Sequence, residues 1–204
     1  AAVTSLRLRL TSLLALLLRH TTYVNARLAR GDLLTVLAAA LRDRIDKVRR
    51  RAAAAMGELL FYITVQQQQR HAAALSAAHG AHGDGDASAT ESPDEAEWAA
   101  PWAVPPTVLQ AMMASLQPGE DALTAHYTCK ALENIFAASG ALPAGSVPEV
   151  LGNAPALSAL LRVAATTAVG EPVRATAACA ASQLVRLRPP LGRYHTRPPL
   201  SFCN

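Results

Sequence analysis

The sequence predicts an all-α fold built from stacked helical hairpins, on three observations. Of the 204 residues 51% are apolar but only 4% are aromatic. Alanine and leucine supply most of that apolar content, and small side chains suit helices packed closely against helices. Runs of β-branched and aromatic residues with alternating polarity, the mark of strands, are missing. Lastly, one apolar spacing recurs at three places: Val48, Ala52, Met56, Leu59; Thr124, Thr128, Leu132, Ile135; Val173, Ala177, Ala181, Leu184. Each set runs i, i+4, i+8, i+11, a single stripe on a helix of 3.6 residues per turn.

The elements follow in chain order. "LRLRLTSLLALLLRHTTYV" places arginines before leucines, as a signal peptide does. Its apolar run, from Leu13 to Leu18, is far short of the ~20 residues that span a bilayer. It reads as an amphipathic helix over about residues 4 to 20, the expected end of a preceding repeat in a larger protein. A further short helix is expected around Tyr23 to Ala29. Three hairpins then follow the pattern helix A, acidic turn, helix B. The A helices are "DLLTVLAAALRD", "PPTVLQAMMASLQ" and "ALSALLRVAATT", and the turns are "RDRID", "QPGED" and "VGEP". An acid before or within a first turn accepts from the free N–H groups and complements the helix dipole. Pro172 suits a helix start, where its missing N–H costs nothing.

The stripes begin 76 residues apart and then 49 apart. Between the first two lies "QQQQRHAAALSAAHGAHGDGDASATESPDEAE", residues 66–97, poor in large apolar side chains and rich in Gln, Gly, Ser and acids. Such a composition does not offset the entropy of ordering, so a disordered insertion is expected. Without its 32 residues the first interval becomes 44. Both intervals then fall near the two-helix HEAT or armadillo repeat of about 40–47 residues. The fold expected is therefore a HEAT/armadillo-type α-solenoid of about three hairpins plus an N-terminal helix. Its parts are residues 1–65 (first repeats), 66–97 (insertion), 98–187 (further repeats) and 188–204 (proline-rich tail).

Catalytic chemistry is not evident. No nucleophile elbow, phosphate loop or kinase signature set occurs. His126 and Cys129 share a helix face, but a third orienting group is absent, and ordinary packing is the reading. His71, His79 and His82 read as a solvated polar segment, not a metal site. Cys129, Cys179 and Cys203 lack the spacing of a disulfide framework or a zinc site, and Cys129 and Cys179 are expected as small buried residues. No cofactor or metal is expected, and a reducing compartment is.

The formal charge is +4, and it is uneven: residues 1–65 hold eleven Arg/Lys against four Asp/Glu. In "DKVRRRAAAAMGELLFYI", Lys47, Arg49, Arg50 and Arg51 occupy the first turns of helix B while the apolar stripe anchors the rest. Cations there oppose the helix dipole by a few tenths of a kcal/mol each, so a surface role is the expectation. Lys47, Arg50 and Arg51, with Arg174 on the third B helix, are candidates for docking an acidic protein partner. Aromatics are not interleaved with them and no base-reading motif is seen, which argues against nucleic acid. Ser92, before Pro93 in "TESPDE", is a candidate phosphorylation site whose added charge would let its segment compete for the cations.

Two long blocks carry a resemblance. "LRHTT", "LRDRIDKVRR" and "AMGELLFYI" in the first, and "WAVPPTVLQAMMASLQPGEDALTAHYTCKALENIFA" as the second, resemble the helical-repeat region of Fused-related kinases of the Unc-51-like kinase four or plant Runkel type. The match covers about residues 13 to 138 without the insertion. The resemblance implies a parent protein with an N-terminal kinase or pseudokinase domain, which this chain does not contain. It also implies a cytoplasmic setting on microtubule structures, either the cilium or flagellum or the plant division apparatus. There the repeats would act as a non-catalytic scaffold for microtubule-associated partners. The alternatives are a regulatory part of an active serine/threonine kinase, or a HEAT/armadillo adaptor unrelated to kinases.

Overall fold

The computed structural model of the chain describes residues 2–20, 32–80, 104–138 and 145–187. They form α1 (Ala2–Arg19), α2 (Asp32–Ala40), α3 (Asp46–Gly80), α4 (Pro106–Ala114), α5 (Ala122–Ala137), α6 (Val147–Leu151), α7 (Ala154–Ala165) and α8 (Glu171–Leu187), with no strand among the described residues. The order of packing is that of an α-solenoid. Helices α1, α3, α5 and α8 lie side by side in one layer, each against the next. In the second layer α2 packs on α3 and α4, and α7 packs on α4 and α8. The hairpins α2–α3, α4–α5 and α7–α8 are thus successive repeats, and α1 occupies the helix-B position ahead of the first.

Every position of the three stripes is buried, from Val48 through Leu184. Met56, Leu59, Leu132 and Ile135 are fully enclosed between the layers, each worth about 1.5–3 kcal/mol of burial. The stripe of α5 starts with two threonines, which bury without cost because Thr128 Oγ1 donates to the Thr124 carbonyl at 3.0 Å. The small residues expected to admit close neighbours do so. A Cβ at Gly57 would stand 2.6 Å from Ala131 Cβ, so α3 and α5 touch backbone to backbone there.

Two of the three acidic turns hold the start of the helix that follows. Asp121 is the N-cap of α5 and accepts from Thr124 N at 2.8 Å. Asp43 accepts from Ile45 N at 2.9 Å and braces the entry to α3.

Two expectations are corrected. The insertion does not begin at residue 66, because α3 continues without a break to Gly80. Gln and Ala extend an existing helix at little cost once it is nucleated. The extension is also held, since Gln67 Oε1 accepts from Val147 N at 3.0 Å. At 35 residues α3 is ~52 Å long and overreaches its neighbours in the layer. Second, Cys179 is exposed, not buried, while Cys129 is buried. Cys179 falls between the stripe positions Ala177 and Ala181, on the outer side of α8. A short helix that the sequence does not announce, α6, lies between the second and third hairpins and packs against α3 and α5; its Val147 and Leu151 are fully buried. Residues 81–97 with Ser92, the segment Tyr23 to Ala29, and the tail 188–204 lie outside the described residues.

Candidate docking surface

The four cations at the start of α3 divide into two pairs with different surroundings. Arg49 and Arg50 turn toward the next repeat. Arg49 Nη2 meets Glu120 Oε1 at 2.6 Å and Asp46 Oδ1 at 2.9 Å, and its Nη1 donates to the Asp43 carbonyl at 2.8 Å. Burial works against its charge, but Glu120 and Asp46 outweigh it, and the guanidinium is held more firmly protonated than usual. Arg50 forks onto Asp121, with Nε at 2.8 Å from Oδ2 and Nη2 at 2.5 Å from Oδ1. This two-pronged geometry is the strongest form of the pair. The hydrogen bond from Arg50, followed by those from Thr124, lowers the Asp121 carboxyl from 3.8 to about 2 against the opposing effect of burial.

Arg50 is therefore not a free docking group. Its side chain is 31% exposed and Asp121 is 13% exposed, and the pair ties α3 to the N-terminus of α5. A parallel link occurs one repeat earlier, where Arg7 on α1 reaches Asp43 in the turn before α3 at 3.2 Å. A B helix thus supplies an arginine to the acidic turn of the following repeat. Stripe alignment of Val48 with Val173 sets Arg174 on α8 in the place of Arg49. The Nε of Arg174 is buried with no hydrogen-bond partner among the described residues. Since α5 lies between α3 and α8, Arg174 stands roughly 20 Å from the α3 cations at 8–10 Å per helix contact. It does not join them in one patch.

Lys47 and Arg51 form the second pair. They are four residues apart on one face of α3 and both are exposed. Neither meets a carboxylate among the described residues. They border a cleft of about 370 Å³ that also touches Leu8 and Ser12 of α1 and Leu123 and Tyr127 of α5. A second cleft of about 380 Å³ continues along α3 past Ala54, Gly57 and Phe61, with Arg19 on the α1 side and Lys130 on the α5 side. Ser12, Arg51 and Tyr127 border both, so the two are one groove with α3 as its floor. Leu123 is 46% and Tyr127 38% exposed, leaving apolar surface beside the cations.

Sequence reasoning placed Lys47 and Arg51 correctly on the surface but missed Arg19, Lys130, Leu123 and Tyr127, which only the layer order brings beside them. His126 and Cys129 do not form a reactive pair. Burial pushes the Cys129 thiol up to about 12, and the His126 ring faces Thr176 Oγ1 on α8 at 3.5 Å. No group of metal-ligating side chains converges among the described residues. No described helix is long and apolar enough to cross a membrane.

No family profile matches the chain, and no solved structure matches it significantly. Among curated proteins it is similar to "Serine/threonine-protein kinase RUNKEL" of Arabidopsis thaliana, 33% identical over 187 residues. The alignment takes in 90% of this chain but 12% of the relative's length, and over that stretch it supports kinship with Runkel-related kinases.

Proposed function

We propose that this chain is a non-catalytic protein-interaction scaffold from the helical-repeat region of a Fused-like kinase or pseudokinase. Its setting is cytoplasmic, on microtubule structures of the cilium, flagellum or division apparatus. The observation that carries this reading is the continuous groove along α3, lined by exposed Lys47 and Arg51 beside apolar Leu123 and Tyr127. A surface of that kind suits a protein partner of acidic character. Kinship with a serine/threonine kinase supports the kinase-related part. The microtubule setting rests on the resemblance of the two sequence blocks. The test is a pull-down with the purified chain in the presence and absence of tubulin, scored for acidic partners that bind directly. Retention of no protein with either bait condition would defeat the scaffold reading.

Kinship with a protein named as a serine/threonine kinase favours a second reading, a regulatory part of an active kinase. Sequence preceding Ala1 in the parent gene decides between the two. An intact strand lysine, catalytic aspartate and D-F-G would favour the active enzyme, and degenerate versions of them a pseudokinase.

A further inference from the structure

We infer that the groove over α3 takes an extended acidic peptide segment of a protein partner, anchored by an aliphatic or aromatic side chain against Leu123 and Tyr127. This inference rests on the scaffold reading and names its occupant. Arg50 is engaged by Asp121 and Lys130 by Glu133 at 3.0 Å. Lys47, Arg51 and Arg19 meet no carboxylate among the described residues, and Glu58 is the one acid among the described residues that border the groove. The groove thus keeps a positive excess centred on Arg51, where its two halves meet.

The length of the floor sets how many residues of an extended segment it holds. The floor from Lys47 to Phe61 is ~21 Å long at 1.5 Å per helical residue. An extended chain covers that with roughly six residues at 3.3 Å each. Midway the groove is bordered by the small residues Ala54 and Gly57 of α3 and Ala131 of α5. Acids spaced along the strand reach Lys47, Arg51 and Arg19, and a large side chain between them covers the exposed Tyr127 ring.

The test is fluorescence anisotropy of the full 204-residue chain with a labelled octapeptide, EELEFEEE. Controls are its lysine counterpart KKLKFKKK and the anchor-free EEGEGEEE. The acidic anchored peptide is expected to bind, and to bind at least tenfold more tightly than either control. Arg51→Glu and Tyr127→Ala should each weaken it about tenfold or more while circular dichroism shows the fold retained. Arg174→Glu on α8 should leave it unchanged. Raising salt from 50 to 300 mM should weaken the wild-type complex and narrow the gap to Arg51→Glu. Equal binding by wild type and Arg51→Glu, or by the lysine peptide, would overturn the assignment, as would failure of the wild type to saturate at millimolar peptide. A gain in affinity on replacing residues 81–97 with a neutral linker would give the groove to the chain's own acidic stretch and overturn the assignment to a partner. If pull-down partners survive Arg51→Glu, the groove inference fails while the scaffold reading stands.

Discussion

Asp121 carries two duties that substitution can separate. Its Oδ2 caps α5 through Thr124 N, and both oxygens hold Arg50. Asparagine caps a helix about as well as aspartate, so Asp121→Asn removes the charge and leaves the cap largely in place. The charge has a measurable worth because the carboxyl titrates at about 2 instead of 3.8. A displacement of that size corresponds to about 2 kcal/mol in favour of the ionised folded state. Asp121→Ala loses the cap as well, a further loss of about 1 kcal/mol. At about 2–4 °C per kcal/mol for a domain of this size, the two variants should melt lower by about 4–8 °C and 6–12 °C.

Acid provides an independent check on the same group. The folded carboxyl has the lower pKa, so its stabilisation is complete above pH ~5, declines as the pH falls and is mostly lost near pH ~2. Urea unfolding followed by circular dichroism at pH 7, and again between pH 5 and 2, measures both effects. Asp121→Asn should lose stability at pH 7 and show a shallower decline in the acid window than the wild type. An Asp121→Asn variant within about 0.5 kcal/mol of wild type at pH 7, with an unaltered acid slope, would refute the Arg50–Asp121 link as a stabilising contact.

Other outcomes follow from the packing and the divided cations. Gly57→Ala should destabilise by about 1–3 kcal/mol through overpacking against Ala131, even though alanine favours the helix by about 1 kcal/mol; adding Ala131→Gly should recover part of the loss in urea unfolding. Met56→Asp, which sets an unpaired charge in a fully buried site, should cost several kcal/mol and be seen as lost helicity at 37 °C. Arg51→Glu should leave the melting temperature nearly unchanged, whereas Arg50→Glu, which turns a two-pronged ion pair into a repulsion, should lower it clearly in the same thermal scan. Replacing residues 81–97 with a short Gly/Ser linker should change stability little, at about 0.6 kcal/mol per doubling of loop length, while extending the deletion back to residue 66 should lower stability by removing the Gln67–Val147 bond.

The repeat architecture was legible because burial in a two-layer helical stack leaves a period in the sequence. The three stripes needed no knowledge of their partners, and the acidic turns announced the helix starts. The end of α3 was not legible from the same logic. Absence of large apolar side chains after Val65 argued against a packed core, but an established helix needs only favourable propensity to go on, and "QQQQRHAAALSAAHG" supplies that. The exposure of Cys179 could have been read, since it lies off the stripe Val173, Ala177, Ala181, Leu184. The short turn α6 could not, being too brief to display a period.

The division of the cations is the more instructive case. Arg50 and Asp121 are 71 residues apart, and nothing local to either announces the other. Yet one residue on α3 does mark the side that faces α5. Gly57 weakens an otherwise strong helix, and a glycine there is accounted for by the approach of Ala131. Arg50 precedes Gly57 by seven residues, two turns, and so stands on the same side of the helix. That side turns toward the next repeat at the edge of the groove, which Gly57 and Arg50 also border, and it brings a cation within reach of the acids in the following turn. Lys47 and Arg51, four residues apart, lie on another flank and remain in water over the groove. A glycine without a turn or cap to explain it, combined with helical phase, thus separates the structural arginine from the free ones before any partner is known.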